Sequence, residues 1–273
     1  MQRDLIFLAG EYTVSAPLVY QRDRWAHTNI ARKLEKNEDG TFCRKGIAEA
    51  LRGGIYYAGV SDDVIRRSNL SMFATGEFPC WPDPCKMLEL DDRHIVMRKC
   101  LEAGFGTHDV FVGDRSEFQR HKMPWQFVLK TGNEHQGQGK HLLNAHQHET
   151  PDWDGLATAE PYFEGESVRI LLIENDIIAL RFTNPESWIK NSAGADVEQI
   201  SYVKGGQLVA HATGLQQLFE ADICGCDYII EPNGAFRFLE YNHFPGVGSC
   251  DDAIQAATRL FRKKMDEVER KAS

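Results

Sequence analysis

Ile254, Ala257, Phe261, Met265 and Val268 fall three or four residues apart, so the C-terminal stretch is predicted to be a helix with one apolar face. Asp251 and Asp252 stand at its start, where carboxylates suit the positive end of a helix dipole. The stretch "DDRHIVMRKCLEAGFGT" predicts a second helix, opened by Asp91 and Asp92 and stopped by Gly104. Elsewhere the pattern shortens into β-prone apolar runs. "LIFLAG" reads as a first core strand, and "VFVG" and "WQFVLK" flank a polar turn-helix. "VRILLIENDIIALRF" predicts two strands joined at Asn175 and Asp176, and "CDYIIEPNGAFRFLEYN" predicts a hairpin closed by Asn233 and Gly234. Helices mixed with antiparallel hairpins point to an α+β fold. Residues 1–88 read as a small α/β lobe, and the Pro-rich "FPCWPDPCKM" at 78–87 reads as a linker.

Bulk properties remove some function classes. At 273 residues the chain is long enough for one large domain or two to three lobes. No run of 18 apolar residues occurs, which argues against a membrane partner, and the N-terminus does not read as a secretory signal. A net charge of −9 disfavours a nucleic-acid partner. Seven cysteines, an odd number in a chain of this size, fit reduced thiols and a cytoplasmic location. Their spacing lacks the C-x-x-C pairs of structural zinc sites.

Candidate chemistry sits on two segments. If Asn233 and Gly234 form a two-residue turn, Asp227 lies directly opposite Glu240, with Asn242 on the same face. Opposed carboxylates repel unless a proton or cation compensates, and a hard cation such as Mg²⁺ does this with oxygen ligands. The second segment, "WQFVLKTGNEHQGQGKHLL", ends a strand at Lys130 and continues into a loop with Gly132, Gly137 and Gly139. Glycines let backbone N–H groups approach phosphate oxygens, and a strand-end lysine offers a point charge. The loop is not a Walker A motif, because Lys140 is followed by His141.

Taken in order, these pieces resemble the ATP-grasp superfamily, in the branch of RimK-like and glutathione-synthetase-like carboxylate-amine ligases. Asp227, Glu240, Asn242, Pro245 and Gly246 fit its metal-site pattern, and Lys130 with the glycine loop fits its strand lysine and flap. Glu160, Phe163, Gly165 and Glu166 in "AEPYFEGESVR" fit the nucleotide hinge; Arg169, Arg181 and "WIKNSAG" fit the elements that follow. The resemblance implies two α+β lobes clamping ATP, at 89–160 with the flap and at 161–273 with the metal site, behind the N-terminal lobe. It implies nucleotide contacts from Lys130, Gly137, Gly139, Glu160, Phe163 and Glu166. Asp227, Glu240 and Asn242 would hold one or two Mg²⁺ ions, with Mn²⁺ as an alternative. Arg169, Arg181, Lys190 and Asn191 would serve the reacting groups. The implied reaction joins a small-molecule or peptide carboxylate to an amine through an acyl phosphate, releasing ADP and phosphate. A phosphotransferase and a non-catalytic nucleotide-binding module remain alternatives, and related enzymes are often homo-oligomers. A second nucleotide-contacting basic residue is expected before the flap, where Arg93 and Lys99 are the nearest candidates.

Overall fold

A computed structural model describes residues 5–9, 18, 25–27, 34–36, 42–44, 51–57, 63–75, 78–132, 138–145, 150–191, 194–201 and 206–272. The chain divides into two compact units. One comprises Met1–Asp91, Ile173–Asp176 and His243–Ser273; the other comprises Asp92–Leu172 and Ile177–Asn242. The boundary expected at 160/161 thus falls inside the second unit, and the C-terminal helix lies in the first.

The first unit is built on a sheet of β1 (Leu5–Ala9), β2 (Trp25–His27), β3 (Leu34–Lys36), β4 (Phe42–Arg44), β5 (Leu51–Tyr56) and β6 (Cys80–Trp81). Its order is β2-β1-β5-β4-β3, with β6 also paired to β5. Strand β1 runs parallel to both β2 and β5, and β3 and β4 are antiparallel. The Pro-rich segment read as a linker is therefore folded. Cys80–Trp81 joins the sheet, Asp83 caps helix α2 (Pro84–Glu89) by accepting from Lys86 N–H, and Pro84 occupies the first turn, where its missing N–H costs nothing. Helix α1 (Asp63–Thr75) completes the N-terminal part. The predicted C-terminal helix is present as α6 (Asp251–Lys271), burying Ala257, Phe261, Met265 and Val268. Gly53 lets α6 approach β5, since a Cβ there would lie 3.0 Å from both Val268 and the Pro79 carbonyl.

The second unit contains two sheets. One is antiparallel, ordered β7-β10-β8-β9, from β7 (Phe111–Gly113), β8 (Gln126–Thr131), β9 (Lys140–Asn144) and β10 (Ala157–Pro161). The other is ordered β13-β12-β11-β14-β15, from β11 (Glu166–Ile173), β12 (Asp176–Thr183), β13 (Asp196–Ile200), β14 (Ile223–Ile230) and β15 (Phe236–Asn242). The predicted helix after Asp91 runs Arg93–Glu102 (α3), capped by the Asp92 carboxylate on the N–H groups of His94 and Ile95. The polar turn-helix is α4 (Arg115–Phe118). A further helix, α5 (Gln207–Leu218), packs on β14. Phe127 and Leu129 of β8 join Phe118, Ala157 and Ala159 in one core. The alternation of strand side chains sends Val128 and Lys130 to the opposite face. Among the described residues no helix is long and apolar enough to cross a membrane.

Candidate functional site

The Asp227 hairpin reaches its expected pairing by an unexpected route. Its turn is not two-residue: Gly234 N–H donates to the Glu231 carbonyl at 2.8 Å, and Glu231 N–H donates to the Ala235 carbonyl at 2.9 Å. Pro232, Asn233 and Gly234 thus form a three-residue loop, and Gly234 has the positive φ of 84° that such a loop requires. This turn pairs Ile230 with Phe236 and Tyr228 with Phe238, one residue out of the expected register. A bulge at Leu239 then restores it, so that Asp227 faces Glu240 and Gly225 faces Asn242.

Asp227 is buried and accepts two hydrogen bonds from Arg169, Nε at 2.6 Å and Nη2 at 2.8 Å, plus one from Asn191 Nδ2 at 3.2 Å. Burial and the neighbouring Glu240 charge still raise its pKa against the pull of Arg169. Burial also pushes Glu240 up, but Lys140, Lys130, Arg93 and Arg169 outweigh it and hold that carboxyl well below its ordinary value. Glu240 is therefore the member of the pair more strongly favoured as an anion.

The β8–β9 hairpin has the opposite sign. Lys130 and Lys140 are direct cross-strand partners and both line a cavity of about 60 Å³. Lys130 is buried and bonded to Glu160 Oε1 at 2.6 Å and to the carbonyl of the bulged Leu239 at 3.0 Å. Burial would raise Glu160, yet Lys130 and then His108 keep its pKa below the ordinary value. At the loop neck Thr131 N–H donates to Gly139 O at 2.8 Å, and Gly132 and Gly139 both have positive φ, 65° and 67°. Gly137 lies outside the described residues. His94 anchors this neck. Burial lowers its pKa, so the ring is neutral, and Nε2–H donates to Gly132 O at 3.0 Å while Nδ1 accepts from the Thr158 hydroxyl at 2.8 Å.

Glu160 and Phe163 line the same cavity. Gly165 is obligatory where the chain passes β14, since a Cβ would sit 2.3 Å from the Ile230 carbonyl oxygen. Glu166 is not brought into the cavity; its exposed carboxylate pairs with Arg181 at 3.2 Å, and the next residue, buried Ser167, lines the wall instead. Lys190 and Asn191 line it as well, with Lys190 Nζ donating to the Asn184 and Ser187 carbonyls at 3.0 and 2.9 Å.

Arg181 is not brought to the carboxylate pair. The Arg169 guanidinium lies 5.2 Å from the centre of the Phe182 ring, so Phe182 shares its face of the sheet and the adjacent Arg181 takes the other. There Arg181 bridges Glu166 and, at 3.3 Å, Glu198. Sequence reasoning missed Lys140, Ser167 and His94. Lys140 would have been visible had the β8–β9 register been known.

No family model and no curated protein sequence matches the chain. Solved structures do. A RiPP-associated ATP-grasp ligase from Chryseobacterium gregarium, in complex with ADP and a leader and core peptide, superposes with a TM-score of 0.66 at 13% identity, covering 97% of each chain. D-alanyl-alanine synthetase A from Vibrio cholerae gives 0.66 at 11% identity, covering 100% of this chain and 99% of its own. The VanG D-Ala:D-Ser ligase from Enterococcus faecalis gives 0.67 at 11% identity, with both chains covered completely. With 97–100% of the chain covered at TM-scores of 0.66–0.67, the chain has the ATP-grasp fold of the α+β class.

Proposed function

We propose that the protein is an ATP-dependent carboxylate-amine ligase. One observation carries this reading: a cross-strand pair of carboxylates, buried Asp227 and half-buried Glu240, stands with Arg169 and Asn191 in a chain of ATP-grasp fold. The donor set fits Mg²⁺, because Asp227, Glu240 and Asn242 offer oxygen alone, and a carboxylate gripped by a guanidinium keeps lone pairs for a metal. Among the described residues no three His, Cys, Asp or Glu side chains could hold an ion by themselves. Asn242 and phosphate oxygens would complete the shell. One or two Mg²⁺ bound there would offset charge on the β- and γ-phosphates.

The residues divide the work as follows. Lys130 holds phosphate oxygens, with Gly132 and Gly139 allowing close backbone approach. Glu160 and Phe163 border the base, and Ser167 stands where Glu166 was expected to meet the ribose. Arg169 positions Asp227. Lys190 and Asn191 face the reacting groups, and Arg181 supports the sheet from its other face. A substrate carboxylate attacks the γ-phosphorus, ADP leaves, the amine attacks the resulting acyl phosphate, and phosphate leaves. The protein supplies position and fixed positive charge for oxygens that gain charge in both steps. The named neighbours, a peptide ligase and two D-amino-acid ligases, favour an amino acid or peptide as the acid.

The test is ADP release from ATP and Mg²⁺ against pooled carboxylates and amines, with product masses recorded and Asp227→Asn and Glu240→Gln run alongside. Turnover requiring both an acid and an amine, with a condensed product and a loss of about 10²–10³-fold in each variant, is expected. A phosphorylated product without condensation would replace the ligase by a phosphotransferase.

A further inference from the structure

Glu160 is bonded through only one of its two carboxylate oxygens. Lys130 Nζ lies 2.6 Å from Oε1, whereas Oε2 has no hydrogen-bond partner among the described residues. A buried carboxylate oxygen without a donor is costly. His108 Nε2 stands 3.5 Å from Oε2, at the limit of hydrogen-bond length, and it too lacks a partner among those residues. Both side chains are nearly inaccessible, His108 5% and Glu160 3% exposed. The surroundings of the ring decide where its proton points. Thr107 Oγ1 accepts from Phe238 N–H at 2.7 Å and lies 3.1 Å from His108 Nδ1, so its own hydroxyl hydrogen is left for Nδ1. That puts the hydrogen of a neutral ring on Nε2, directed at Glu160, and a protonated ring carries one there as well. The opposite tautomer would turn a lone pair toward the carboxylate.

Glu160, Lys130 and Phe163 line the cavity, and His108 does not. It stands behind the wall, facing Glu160 and meeting the Phe163 ring edge-on at 4.8 Å. The other charges near it are Lys130, on the far oxygen of Glu160, and Arg237, which lies over Phe163, donates to the Thr107 carbonyl at 3.1 Å and is paired with Glu231. We infer that His108 is a positioning residue for the nucleotide site: its Nε2–H fixes Glu160 from behind, so that the same carboxylate holds the Lys130 ammonium on the cavity side. This rests on the nucleotide reading above. Glu160 is thus a bridge between an ammonium in the cavity and an imidazole outside it. Without the imidazole Oε2 is left with no donor, burial weighs more heavily on the carboxyl, and Glu160 takes up a proton at higher pH. A protonated Glu160 no longer offers Lys130 a charge.

The experiment is calorimetric titration of the full-length protein with ATP and Mg²⁺ from about pH 8 to about pH 5, on the parent, His108→Leu and His108→Gln, with thermal unfolding of each. Glutamine keeps an N–H donor without a charge, and leucine keeps neither. His108→Leu is expected to weaken ATP by about tenfold or more at pH 8, and by a growing factor as pH falls and Glu160 is protonated. His108→Gln keeps most of the affinity. Unaltered affinity in His108→Leu, a loss that is the same at every pH, or a His108→Gln protein as weak as His108→Leu would overturn the inference while leaving the nucleotide reading intact. The second of these would reduce His108 to packing against Phe163. Imidazole nitrogen NMR of the isotopically labelled parent, with the His108 signal assigned by its absence in His108→Gln, tests the geometry without the leucine variant. Nε2 is expected to bear the hydrogen, and a ring protonated on Nδ1 alone would overturn the inference. A parent that binds no ATP would overturn both this inference and the nucleotide reading.

Discussion

The β8–β9 and β14–β15 hairpins are built alike and charged oppositely. Each sets two like charges directly across from one another, Lys130 against Lys140 and Asp227 against Glu240. Each then ties down one member and leaves the other loose. Glu160 and the Leu239 carbonyl hold Lys130, and Arg169 with Asn191 holds Asp227. The two loose members, Lys140 and Glu240, approach each other only to 3.7 Å. The tethered charges tie their hairpins to neighbouring strands, and under the proposed function the loose ones would meet a ligand with both a polyanion and a cation. The hairpins differ in how the tie is made: β8–β9 uses a lysine and carboxylate both nearly inaccessible, while β14–β15 uses a guanidinium with 14% of its side chain exposed.

That difference sets the order of expected losses. Lys130→Met leaves the Glu160 carboxylate buried without its ammonium, and removing one partner of a buried pair costs about 3–5 kcal/mol. Denaturant unfolding at neutral pH would measure it. Arg169→Met should cost less, about 1.5–3 kcal/mol, since Asn191 still donates to Asp227 and the lost bonds are charged but partly solvated. Equal losses would erase the distinction between the two ties.

A pH series separates the lysine tie from general damage. Glu160 has a pKa held below the ordinary carboxylate value by Lys130 and His108 against burial, so its contribution to stability is fully present above the ordinary value and is lost as pH falls through the folded value. In Lys130→Met the ammonium is gone and only His108 opposes the effect of burial, so Glu160 moves up and its protonation costs the folded state less. The stability gap between parent and Lys130→Met should therefore narrow as pH drops from 6 toward about 3. A gap that stays constant would mean that lost packing, not the ion pair, explains the variant.

The same hairpins mark how far residues alone could be read. Helices α3 and α6 are legible because their apolar spacing coincides with acidic residues at their starts, Asp92 as the cap of one and Asp251 with Asp252 in the first turn of the other. Helix α5 is hidden: Gly206 caps it without a side chain, and Gly214 breaks its pattern to admit the Phe105 ring, a contact set by residues a hundred positions away. Proline density suggested a linker at 78–87, where the prolines in fact open a helix and follow a strand. At the site, the hairpin signal at Asn175 and Asp176 already pairs Arg169 with Phe182 and puts Arg181 on the other face, a parity that the resemblance-based role for Arg181 did not use. The facing of Asp227 and Glu240 was read correctly through two offsetting departures, a longer turn and a bulge whose Leu239 looks like ordinary alternation.

Those two departures make the smallest prediction, and they can be separated. Gly234 sits at φ 84° with nothing near the place where a Cβ would stand, so Gly234→Ala pays only for backbone strain, about 1–2 kcal/mol. If the turn dictated the register along the whole hairpin, this strain would reach Asp227 and nucleotide affinity would fall with stability. The bulge predicts otherwise. Leu239 lies between the turn and the carboxylates, and its carbonyl is held by Lys130, so Asp227 and Glu240 are fixed by contacts beyond the loop. Gly234→Ala should lower the unfolding free energy by that amount and leave the ATP dissociation constant within about twofold, a difference worth less than 0.5 kcal/mol. A larger loss of affinity would move control of the site from the bulge back to the turn, and the two hairpins would then differ in what sets their geometry as well as in charge.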